Sequence, residues 1–149
     1  MEAPRKYDLE DRLVKFAVMA LNVCDILPNT RTGGNLEHQL SKSGTAPALM
    51  YGEVQAAESQ ADFIHKMKCA LKELRETRAN LRIIQEKPVV VHGNIEVALK
   101  ECNELIAIFT ASIATAKRNQ AQPGVSEFYI FNLLFNICHY DYFTRSCGI

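Results

Sequence analysis

His65 and Cys69 stand four residues apart, a spacing that stacks two side chains on one face of a helix. An imidazole beside a thiol is half of a metal site or of a nucleophile–base pair. No third ligand is spaced to join them, and both point away from the apolar stripe of their segment. Two surface neighbours that happen to fall four apart are the simpler reading. Glu37-His38, with Glu53 further along, lacks the paired Glu and Glu-x-x-His set that holds two irons inside a helical bundle, so no metal core is expected. The sequence contains no glycine-rich phosphate loop, HExxH pair, nucleophile elbow or EF-hand loop. The expectation is therefore of no catalytic residue, no metal and no cofactor, in a protein that is not an enzyme.

Composition narrows the class further. A chain of 149 residues fits one domain with a substantial core. Acidic and basic residues balance at 17 each, which argues against a strong polyanion binder and moves attention to local charge. The five Cys are an odd number without CxxC spacing, which favours reduced, cytoplasmic thiols over a disulfide framework. The first residues carry charge and no apolar core of a signal peptide, and no segment approaches a charge-free membrane span. A cytoplasmic protein with no membrane contact is the expectation.

Hydrophobic spacing supplies the scaffold. Leu9, Leu13, Phe16, Ala20, Val23 and Leu27 alternate four and three apart, a bundle seam that Val14, Ala17, Leu21 and Cys24 widen. Val18, Met19 and Ile26 fall on the far side and point to a second contact surface. Phe63, Met67, Ala70, Leu74, Thr77, Leu81 and Ile84 repeat the pattern, as do Ile95, Leu99, Cys102, Ile106, Phe109 and Ile113. Together with a segment cored by Leu36, Leu40, Met50 and Val54, these predict helices over about 8–27, 35–58, 60–86 and 94–118. Asn35 is the expected cap of the second helix, and Ser59-Gln60-Ala61-Asp62 a capping box for the third. Val89, Val90 and Val91 have no strand to pair with and read as an apolar loop. Short connections make the fold all-α, an up-down-up-down antiparallel four-helix bundle over 8–119. Residues 1–7 read as a flexible N-terminus. Residues 120–149, rich in Phe and Tyr after Pro123-Gly124, read as an irregular aromatic extension of a domain already closed.

The second helix is the unusual one. Gly44, Ala48 and Gly52 recur every four residues and offer one face to a close neighbour, with Glu53 beside them. Pro47 removes the amide that would bond the Ser43 carbonyl, so a kink is expected there, with the Ser43 or Thr45 hydroxyl serving the freed carbonyl. Gly52 is expected to resist a larger side chain through overpacking. These five residues, Gly44, Pro47, Ala48, Gly52 and Glu53, are the candidate packing and interface positions.

On the third helix Lys68, Lys72, Arg75 and Arg82 project to one flank of the apolar stripe, and Asp62, Glu73 and Glu76 to the other. Opposite flanks suit a head-to-side contact between copies, which closes into a ring when the rotation permits. With Arg78, the same cations form a candidate nucleic-acid surface that symmetry would multiply. Ordinary solvated charge, with pairs such as Lys72–Glu76, explains the pattern equally well. Arg78 projects into the apolar sector, where a cation must find a partner, an interface or an anion.

The combination of Gln39-Leu40, Ser43-Gly44, Pro47-Ala48, Tyr51-Gly52-Glu53, Ala57-Glu58-Ser59, Asp62-Phe63, Ala70 through Thr77 and Asn103-Glu104-Leu105 resembles the four helix bundle protein family. That family includes proteins encoded in intervening sequences of 23S ribosomal RNA genes and is related to the accessory variability proteins of diversity-generating retroelements. The resemblance covers about residues 8–118. It implies a bacterial, cytoplasmic four-helix bundle that assembles with itself as a homopentameric ring and has no enzymatic activity. Through the retroelement relatives it also implies nucleic acid and a reverse transcriptase as partners.

Overall fold

The structure, a computed structural model, describes residues 9–121. The expected N-terminal arm at 1–7 and all of the aromatic extension beyond residue 121 lie outside the described residues. Four helices follow in order: α1 (Leu9–Asp25), α2 (Arg31–Gln55), α3 (Gln60–Glu86) and α4 (Gly93–Gln120). Each packs on the next, and α4 closes back on α1. The connections at 26–30, 56–59 and 87–92 are too short to recross a helix, so successive helices run antiparallel. Side chains confirm the direction for α3 and α4. Gln60, at the start of α3, donates through Nε2 to the Ala116 carbonyl at 2.8 Å, and the Cys102 thiol midway along α4 donates to the Leu74 carbonyl at 3.2 Å.

Local chemistry sets the helix ends. The α2 helix begins four residues before the position expected, because Thr30 rather than Asn35 caps it: Thr30 Oγ1 accepts the Gly33 amide at 3.0 Å. Gly33 is buried, and a Cβ there would stand 1.9 Å from the Pro28 carbonyl oxygen, so the chain crosses itself closely at this turn. On α3 the Ser59 hydroxyl accepts the Asp62 amide at 3.1 Å, while the Asp62 carboxylate returns to the Glu58 amide at 3.2 Å. The capping box is thus reciprocal, but its return bond lands one residue before the cap. His92 caps α4 through its ring nitrogen, which accepts the Asn94 amide at 3.2 Å. Val89 and Val90 lean on the core and Val91 is exposed, with no strand among the described residues.

The core is one cluster drawn from all four helices, centred on fully buried Leu13, Phe16, Leu40, Met67, Leu74, Leu81, Leu105 and Phe109. Each such side chain contributes about 1.5–3 kcal/mol by leaving water. The stripe expected on α3 is buried throughout, including Thr77, whose hydroxyl is satisfied by the Glu73 carbonyl at 2.9 Å. On α1 and α4 most of the expected seam is buried and only its edges fall differently. On α4, Leu99 and Ile106 are half-buried at the edge of the core, while Leu105 and Ile108 join the interior together with Ala98, Ser112 and Ala116, small residues that close-packed helices seat and a count of large ones passes over. On α1, Val14 and Leu21 stand exposed instead of widening the seam, whereas Met19 packs against the core.

The small-residue face of α2 resolves into two parts. A Cβ on Gly44 would lie 2.5 Å from the Ala20 Cβ of α1, so this glycine is where the two helices touch. Pro47 is buried, and Ala48 is half-buried against the core. Gly52 is exposed with no heavy atom within 4 Å of its would-be Cβ, and Glu53 is exposed beside it. The expected overpacking at Gly52 is therefore overturned within the chain: four-residue spacing advances about 40° per step on a 3.6-residue helix, which carries Gly52 off the α1 contact. The helix continues through Pro47. Thr45 Oγ1 donates to the Ser41 carbonyl at 2.8 Å rather than to that of Ser43, since a helical hydroxyl reaches back three or four residues. The Ser43 hydroxyl instead meets Asn80 Nδ2 at 3.4 Å.

Candidate functional site

The cations of α3 divide by their partners. Lys72 pairs with Glu76 at 3.2 Å, and this bond, with Glu76 and Glu73 nearby, raises the ammonium pKa above its usual range. Arg82 pairs with Glu86 at 2.7 Å. Lys68, Arg75 and Arg78 make no ion pair with another described residue. Arg78 is half-buried on the α4 side, close enough to Cys102 to favour its thiolate.

Between α3 and α4 these cations border a groove of about 740 Å³. Lys68, Lys72 and Arg75 line it from α3, Lys117 lines it from α4, and Leu71 and Ile113 provide apolar walls. Lys117, near the end of α4, joins them because the antiparallel pairing of the two helices carries it past the Lys68 end of the α3 row. Arg78 and Arg82 do not line the groove. Glu76, assigned to the opposite flank, lines it beside Lys72. One helical turn of separation brings that carboxylate round to its partner.

A second exposed feature lies on α1. Val14, Val18 and Leu21 are 49%, 50% and 39% exposed, spaced four and three apart on one outward face. Glu10, Asp11 and Asp25 are exposed on the same helix, with Asp11 bonded to Lys15 at 2.5 Å. The inward edge of α1 is fixed to α4 by Arg12, which reaches Glu101 through two nitrogens and Glu104 through one.

Sites for chemistry are sparse. His65 Nε2 and Cys69 Sγ approach to 3.8 Å on the surface of α3. No group of three or more His, Cys, Asp or Glu side chains is arranged to hold a metal among the described residues. Burial pushes the Cys24 thiol up to about 11, with Glu37 and Asp25 adding to the shift. Burial pushes Cys102 up to about 12 against the opposing pull of Arg78. Neither is a ready nucleophile. No described helix is long and apolar enough to cross a membrane.

No protein-family model matches the sequence, and no curated protein does. Among solved structures, a protein of unknown function from the S23 ribosomal protein family of Bacteroides thetaiotaomicron is similar: 27% identity, TM-score 0.65. The similarity covers 71% of this chain and 98% of that one. Almost the whole of that protein thus corresponds to part of this chain, in agreement with the four-helix fold.

Proposed function

We propose that this chain is a non-enzymatic helical interaction protein related to the S23-like bundles, and that it works by assembling with itself. The observation that carries the reading is the Val14–Val18–Leu21 face, left outside a core that four helices already close. Three apolar side chains in register on one helix mark a surface for a partner more readily than the same residues scattered singly would. A closed ring of copies, the pentamer of the family it resembles included, uses such a surface without any change in fold. Static light scattering of the full chain across a concentration series tests this; a monomer at every concentration removes the reading.

A second reading has its own support. Lys68, Lys72, Arg75 and Lys117 around one groove give a locally basic surface on a chain of zero net charge, which suits nucleic acid and a role beside a reverse transcriptase. Arg78 and Arg82 would extend it along α3. Binding to single- and double-stranded RNA and DNA, measured at several salt concentrations, tests it: affinity must fall steeply with salt and fall again in Lys68→Glu or Arg75→Glu.

A further inference from the structure

Two surfaces of the bundle complement one another. The α1 face presents Val14, Val18 and Leu21, with Glu10 and Asp11 towards one end and Asp25 at the other. The α3–α4 groove is floored by the nearly buried Leu71 and Ile113 and walled by exposed Ala79, Thr110 and Ala114, with Lys68 and Lys117 towards one end and Arg75 towards the other. At 1.5 Å per residue, the acidic groups on α1 span about 22 Å and Lys68 and Arg75 about 10 Å along α3, so with the two centres aligned each acidic end lies about 6 Å beyond a cation, a gap that the long Lys and Arg side chains span. Within one chain this contact cannot form, because α1 packs on α2 and α4 and faces away from the groove.

We propose that the α1 face of one copy docks in the α3–α4 groove of the next. The proposal rests on the self-association reading and supplies its surfaces. A polyanion in the groove would pair with the cations but leave the whole α1 face in water. A second copy satisfies both sets of groups with the same contact, and its carboxylates meet the three groove cations, Lys68, Arg75 and Lys117, that have no ion pair within the described chain. Because the two surfaces differ, the contact is head-to-side: every copy offers one face and accepts another, and the chain of contacts either closes into a ring or continues.

Complementation between two full-length variants tests the pairing. Val18→Asp spoils the α1 face and leaves the groove intact; Ala114→Glu adds bulk and negative charge to the groove and leaves the α1 face intact. Both positions are exposed, circular dichroism checks the helix content of each, and Val14→Asp replaces Val18→Asp should that variant lose structure. The wild type is expected to assemble and each variant alone to be a monomer. Their mixture should form a particle of two chains, because one intact face and one intact groove remain between them. Undiminished assembly by Ala114→Glu overturns the pairing and points to like faces meeting. Overturning also follows if the mixture stays monomeric at concentrations where the wild type assembles. Should Ala114→Glu abolish nucleic-acid binding and spare assembly, the groove belongs to nucleic acid instead. A monomeric wild type would end the self-association reading itself.

Discussion

A Cβ added to Gly44 of α2 would come within 2.5 Å of the Cβ of Ala20 on α1. Both atoms hang directly from helical backbone, so relief requires the helices to part. Gly44→Ala gains about 1 kcal/mol of helix propensity but meets an overpacking cost of about 1–3 kcal/mol that also disturbs neighbouring contacts. A net loss of up to about 2 kcal/mol in urea unfolding is expected, partly recovered by Ala20→Gly in the same chain. Gly52→Ala, in open space, should stabilise by up to about 1 kcal/mol.

Arg12 gives a second test. Its guanidinium joins α1 to Glu101 and Glu104 of α4 while itself largely withdrawn from water. Arg12→Leu leaves the partly buried Glu101 carboxylate without that partner, and a loss of about 1–3 kcal/mol is expected. High salt should narrow the gap between the two proteins only modestly, since the Arg12–Glu101 pair is partly shielded already.

The start of α3 carries a pH dependence. The side-chain bond from Lys66 and then the Glu58 amide hold the Asp62 carboxyl below its ordinary range. Its folded value is depressed relative to the unfolded chain, at about 3.9, so the stabilisation is complete above that pH and is lost as pH falls through the folded value. Asp62→Ala should therefore be less stable than the wild type at pH 6, with the difference shrinking below about pH 4 in urea titrations.

Thiol chemistry distinguishes the cysteines. At pH 8 the thiolate fraction at Cys24 and Cys102 is on the order of one in a thousand or less, and both side chains are buried. Iodoacetamide labelling followed by peptide mass mapping should modify Cys69 quickly. Modification of Cys24 and Cys102 should wait for urea.

The helical order was legible because four-three spacing is strong where large apolar residues carry it, as on α3 from Phe63 to Ile84. It misled where small residues do the packing. Leu99 and Ile106 drew the α4 seam to the edge of the core, and Ala98, Ser112 and Ala116, which sit inside, gave little hydrophobic signal. Likewise the periodic Gly44, Ala48 and Gly52 looked like one face, although Gly44 meets α1 at close range and Gly52 stands in open space. The start of α2 was obscured by Gly33-Gly34, which reads as a turn until Thr30 is seen to cap the helix across it. At the groove, Lys68, Lys72 and Arg75 were readable from one helix wheel. Lys117 was not, because its place in the same groove depends on the pairing of two helices rather than on either alone.

Of the four principal helix contacts three join neighbours in sequence, and the α1–α4 contact closes a long loop of chain. Hairpins form early because little chain entropy is lost in bringing their arms together, whereas the α1–α4 seam must wait for the intervening helices. The ion pairs of Arg12 belong to that last step. Their loss should leave the folding rate nearly unchanged and speed unfolding, which makes Arg12 a latch on the lifetime of the folded state more than a guide to reaching it.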